Sequence, residues 1–112
     1  MGRLARAALV GCKTRRICDM HQYPPAGTCP HAVRGELTNG SSNVIIEGIP
    51  AVRVGDYEDC NCPHSGIGAV SSGSGSVFIN GRPAARVKDG TTCYFCFLEG
   101  SIVDGAETVF VG

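Results

Sequence analysis

Cysteine and histidine are the residues best equipped for chemistry in this 112-residue chain. The cysteines are Cys12, Cys18, Cys29, Cys60, Cys62, Cys93 and Cys96, and the histidines are His21, His31 and His64. Cys29-Pro30-His31 and Cys62-Pro63-His64 each put a thiol and an imidazole two residues apart, and Cys93-Tyr94-Phe95-Cys96 has the Cys-x-x-Cys spacing. Thiols and imidazoles gathered at a few points suit a zinc ion, with buried thiols and hydrogen-bonded loop histidines as the alternative use. An odd number of cysteines excludes a full set of internal disulfides. The first 16 residues hold Arg3, Arg6, Lys13, Arg15 and Arg16 and no acid, but the apolar stretch Ala7 to Val10 is too short for a secretory leader. That segment reads as a first strand with solvent-facing cations, and the chain as made and folded in the cytoplasm, a reducing compartment. Asp56, Asp59 and Asp89 are candidate acids, yet no nucleophile–base pair accompanies them. A zinc with four protein ligands has no open position for water, so the chain reads as no enzyme.

The elements that must position these groups follow from composition and from a repeat. Glycine (16) and proline (6) make up about a fifth of the chain, well above the usual share of roughly 12 %. Such a chain forms short strands and turns rather than helical bundles. Ten basic residues balance ten acidic ones, which disfavours a nucleic-acid binder. The apolar fraction of 43 % excludes a disordered chain, and no apolar run is long enough to span a membrane. The length fits one domain, residues 1–112.

Residues 29–56 align without a gap on residues 62–89, with half the aligned positions identical. Cys29/Cys62, His31/His64, Gly40/Gly73, Pro50/Pro83, Arg53/Arg86 and Asp56/Asp89 are among them, and Cys60 maps onto Cys93 at the same spacing. A third, partial copy spans 105–112, and Ala5 to Gly11 resembles the segment that ends a unit. Within a unit, 43–47 and 76–80 read as strands, Glu47-Gly48 and Asn80-Gly81 as hairpin turns, and 51–54 and 84–87 as return strands opened by Pro50 and Pro83. The Gly/Ser stretches 38–42 and 71–76 recur at matching positions and read as structural turns. Arg53 and Arg86 either bond to neighbouring loops or carboxylates or stay solvated on their strands. Tyr94, Phe95, Phe97 and Leu98 form an apolar cluster, either core beneath a loop or a membrane-contacting point.

This pattern resembles the PAAR-repeat family, whose tetrapeptide stands here as Pro83-Ala84-Ala85-Arg86, with a looser copy in Pro50-Ala51-Val52-Arg53. The closing Thr108-Val109-Phe110-Val111-Gly112 is also similar to the family's ending. The resemblance implies an all-β, small conical fold of three pseudo-symmetric β-hairpin repeats, pinned by a structural Zn²⁺ near the apex. It implies a spike tip of type VI secretion systems or contractile phage-tail-like particles, which caps a trimeric VgrG-type β-helical spike and sharpens it for piercing the target envelope. The expected partner is that trimer, one chain per trimer, with the target membrane contacted transiently. The tip is expected to be a monomer when free and to bind no nucleic acid. Assembly is expected in the cytoplasm, followed by delivery outside the cell on the spike. Three repeats per chain suit a three-fold partner, and strand edges at the base could continue the spike's β-structure. A tapering point buries little apolar surface, and zinc binding in small sites contributes roughly 10–16 kcal/mol.

The resemblance also implies a ligand set of His21, Cys60, His64 and Cys93. His21 precedes Tyr23-Pro24-Pro25, Cys60 follows Gly55-Asp56 by four residues, His64 follows shortly, and Cys93 follows Asp89 by four. Cys60 stands where family members often have histidine, and the segment from His21 to Gly40 is longer than usual. His31 competes with His21 through its repeat match to His64, and Cys62 competes with Cys60. A zinc-ribbon-like interaction module, with nucleic acid as its partner class, is the rival reading; it accounts for the Cys/His clusters but not for the repeat or the balanced charge.

Overall fold

The computed structural model describes residues 4–16, 33–60, 67–94 and 99–112. The described residues are all β and turn, without a helix. In chain order the strands are β1 (Ala5–Arg6), β2 (Lys13–Arg16), β3 (Val33–Leu37), β4 (Ile45–Ile46), β5 (Ile49–Pro50) and β6 (Tyr57–Cys60). They continue with β7 (Gly68–Val70), β8 (Phe78–Ile79), β9 (Arg82–Pro83), β10 (Gly90–Cys93), β11 (Glu99–Ile102) and β12 (Phe110–Val111). Six of them close into a small antiparallel barrel in the order β10-β11-β2-β3-β6-β7. The others form two-stranded sheets, β4–β5, β8–β9 and β1–β12.

The turns fall where expected, but the return strands are Ile49–Pro50 and Arg82–Pro83 rather than 51–54 and 84–87, and the third small sheet is no hairpin, since it pairs Ala5–Arg6 with Phe110–Val111. Glu47 and Gly48 have φ of 56° and 79°, and Asn80 and Gly81 have 53° and 81°. Both positive values are what a two-residue turn between strands of right-handed twist demands. The return strands end early because the chain leaves its own hairpin to meet its neighbours. Isolated bridges join Leu9 to Ala51, Arg53 to Ala84 and Ala7 to Arg86. The Ala8 amide donates to the Ala85 carbonyl, the Ala85 amide to the Val52 carbonyl, and the Val52 amide to the Ala8 carbonyl, at 2.9–3.0 Å. These bonds close a ring of three backbone segments around one axis. Small residues let these backbones approach closely: Ala7, Ala8, Ala51, Ala84, Ala85 and Ala106 are all buried, with Val52 as the one larger side chain of the ring.

The barrel's interior mixes apolar and polar side chains. Leu37, Val70 and Ile102 are fully buried, as are Thr14, Glu58 and Thr91. The register alternates them around the wall: Thr14 lies opposite Ile102, Glu58 opposite Leu37, and Thr91 opposite Val70. On its other side each polar residue faces a glycine, Gly35, Gly68 and Gly100 respectively. At Gly35 a Cβ would come within 2.6 Å of Thr14 Oγ1 and 3.1 Å of Glu58 Oε2. The missing side chain therefore makes room for the buried Thr14–Glu58 hydrogen bond of 2.5 Å. Apart from β2, which lies in the basic segment read as a first strand, these barrel strands occupy stretches that the sequence pattern assigns to the connections between hairpins. Short strands rich in Gly, Thr, Glu and Asp lack the apolar alternation that marks a strand, because only one small, partly polar interior faces them.

Candidate functional site

Strands β2, β6 and β10 run parallel to one another, each antiparallel to the neighbours that separate them. Their C-terminal ends therefore share one end of the barrel, and the three connections 17–32, 61–66 and 95–98 all leave from it. Every cysteine and histidine except Cys12 lies in those connections or at the strand ends that feed them. Cys60 closes β6 and Cys93 closes β10, so the backbone brings these two predicted ligands to the same end. His21, His31, Cys62 and His64 lie outside the described residues, as do Cys18, Cys29, Cys96, Phe95, Phe97 and Leu98. Among the described residues no group of three metal-ligating side chains forms. By residue type, thiols with imidazoles suit zinc, and the sequence that follows these strand ends holds more of them than the four ligands a closed site needs.

The remaining cysteine, Cys12, is at the other end. It is buried in the core, burial pushes its thiol pKa up, and it replaces a charged residue of the repeat. In one corner of the base, the Arg53 guanidinium donates to both Asp56 oxygens at 2.9 Å, and Asp56 also accepts the Arg53 amide at 2.8 Å. In the next, Arg86 and Asp89 repeat that arrangement at 2.8–2.9 Å. Each carboxylate, as hydrogen-bond partner, holds its arginine's pKa above the ordinary value. In the third corner Leu9 and Cys12 occupy the equivalent places, and the Cys12 amide donates to the Leu9 carbonyl at 3.0 Å as Asp56 and Asp89 do to their arginines.

The neighbouring unit completes each corner. Asn80 Oδ1 accepts from Arg53 at 3.0 Å and from Ser41 Oγ at 2.6 Å. The Gly112 carbonyl takes the same role for Arg86 and Ser74. Glu47 is the residue equivalent to Asn80 that faces the Leu9 corner, where no arginine awaits it. Its carboxylate instead accepts the Thr108 hydroxyl at 2.7 Å and the amides of Thr108 and Glu107 at 2.8 and 3.1 Å. Of these two amides, that of Thr108 corresponds to the Asn43 and Ser76 amides, which Ser41 and Ser74 cap in the other units and which Ala106, lacking a hydroxyl, cannot cap here. Sequence reasoning foresaw carboxylate partners for Arg53 and Arg86 as one of two outcomes. It missed Glu47, whose signal was an acid at a hairpin position that favours Asn or Gly.

Ile45, Phe78 and Phe110 sit at equivalent positions of the three small sheets, and each is more than half exposed. They lie at the end of the molecule opposite the Cys/His connections. Large apolar side chains left in water at three equivalent places make a candidate contact surface.

The chain belongs to the PAAR-motif family: the family model matches residues 26–94 and again 62–112. No curated protein matches the chain. The family places a β-rich, structural module at the tip of contractile injection spikes. No helix among the described residues is long and apolar enough to cross a membrane.

Proposed function

We propose that this protein is the tip of a contractile injection spike and docks base-first on a trimeric, VgrG-type β-helical partner. The observation that carries this reading is the closed ring of Ala8, Val52 and Ala85, which makes one chain three-sided. A three-sided base can meet each subunit of a trimer with a similar surface, so one chain per trimer satisfies the symmetry. Ile45, Phe78 and Phe110 supply one exposed apolar anchor per side. The opposite end is the point, and there a zinc ion cross-links the three connections through His21, Cys60, His64 and Cys93, with His31 and Cys62 as the competing ligands. The support for zinc is the concentration of thiols and imidazoles at that end, together with the small, partly polar barrel interior beneath it. A bound ion supplies cross-linking there and no open coordination position, so the role is mechanical. The free tip is a monomer assembled in the cytoplasm and carried out of the cell on the spike, where it meets the target membrane briefly.

Mixing the purified chain with a trimeric β-helical spike and weighing the complex by native mass spectrometry tests the docking. One chain per trimer is expected; three per trimer, or no complex, would overturn the reading.

A further inference from the structure

The three sides of the barrel share an interior but not an exterior. The register equates Arg15 on β2 with Asp59 and Thr92, and Arg34 on β3 with Ile67 and Glu99. Only the β2–β3 side therefore carries two cations there, and they stand directly opposite each other as Arg15↔Arg34. Both are exposed. Like charges directly opposite on a ladder destabilise it, so a purely structural role would not favour this pair. Lys13, the next cation on the same face, is neutralised by Glu36 at 2.6 Å. Among the described residues no ion pair or hydrogen bond engages either guanidinium. Arg15, Arg34 and Lys13 line a shallow groove with Val103 and Asp104, and Asp104 is its single acid. Both arginines lie one residue from the strand ends that feed the 17–32 connection, hence near the Cys/His end.

We infer that Arg15 and Arg34 form a phosphate-binding site and that its occupant is the headgroup phosphate of an anionic bilayer. Two planar guanidinium forks facing one groove match the oxygens of a phosphate, which would also relieve their mutual repulsion. The choice of a lipid source rests on the spike-tip reading, in which this end meets the envelope first. A nucleic-acid polymer is the less favoured occupant, since such binding draws on many phosphate contacts and this groove offers two arginines beside Asp104.

The test is flotation of the free, full chain with phosphatidylcholine vesicles prepared with and without phosphatidylglycerol. Binding to the phosphatidylglycerol vesicles only is expected. The Arg15→Gln/Arg34→Gln double variant should bind them roughly thirty-fold less, at about 1 kcal/mol per basic residue near a charged surface. Lys88→Gln, which removes an exposed cation elsewhere, should bind like the parent. Melting curves verify that the variants are folded. Equal binding by the double variant, or no binding by the parent, overturns the site. Amide shifts at Arg15 and Arg34 with inorganic phosphate but no vesicle binding would overturn the lipid assignment, as would tighter binding to random duplex DNA. Spike docking by the double variant should be unchanged, so failure here leaves the docking reading standing and failure of docking leaves this site standing.

Discussion

At the scale of single residues, the three corners of the base compare an ion pair with an apolar replacement inside one molecule. Arg53 and Asp56 are joined by two guanidinium hydrogen bonds with little access to water, whereas Leu9 and Cys12 hold the same backbone turn with no charge. Removing one partner of a buried pair typically costs about 3–5 kcal/mol because the other charge is stranded. Asp56→Cys alone should therefore be strongly destabilising. Arg53→Leu/Asp56→Cys, which copies the Leu9–Cys12 corner, should recover more than half of the loss in urea unfolding. A double variant no better than the single would show that the ion pair is irreplaceable there. Glu47 makes a second residue-level prediction. The Thr108 hydroxyl first, then the amides of Thr108 and Glu107, hold its carboxyl below its ordinary 4.5. A folded value below the unfolded one gives a contribution that is complete above 4.5 and is lost as the pH falls through the lowered folded value. The difference in melting temperature between the parent and Glu47→Gln should accordingly shrink as the solution is acidified below pH 4.5; a constant difference would mean that the carboxylate charge plays no part.

At the scale of elements, glycine decides how closely strands approach. A Cβ on Gly35 would meet the Asp59 carbonyl at 2.5 Å and Thr14 Oγ1 at 2.6 Å, so the β2, β3 and β6 strands would have to part. Gly35→Ala should cost about 1–3 kcal/mol, while Gly75→Ala, with open space around it, should stay within about 0.5 kcal/mol. Equal effects in thermal melts would refute the packing account. The hairpins were legible in the sequence because Val44-Ile45-Ile46 and Val77-Phe78-Ile79 are strong strand formers followed by Glu-Gly and Asn-Gly turns. The repeat made their equivalence legible as well. The barrel was not legible, since β6 reads Tyr-Glu-Asp-Cys and β10 reads Gly-Thr-Thr-Cys. Their strand character comes from pairing with sequence-distant neighbours, as when Gly35 meets Cys60. Of the candidate metal ligands, the sequence offered the residue types, and the strand directions contribute the common end of Cys60 and Cys93.

At the scale of the whole molecule, the two ends of the barrel pose different physical problems. Toward the end where β2, β6 and β10 finish, the barrel closes on an interior that includes the polar side chains Thr14, Glu58 and Thr91. Apolar burial offers little there, and a cross-linking ion would offer much. The base is the reverse: its alanine-rich core is closed by backbone hydrogen bonds, and it can spare large apolar groups for a partner. Because a trimer presents the same surface three times, the anchors Ile45, Phe78 and Phe110 should act alike rather than in a hierarchy with one dominant hot spot. Substituting serine for any one of them should leave the free protein's stability within about 0.5 kcal/mol, since the side chains are exposed. Each should weaken docking on the trimeric spike by about 1.5–3 kcal/mol, the usual return for burying one large apolar side chain. Titration calorimetry of the three variants against the trimer measures this directly. A loss confined to one position would mean that the chain engages the spike from one side, and the three-fold account of the base would fall.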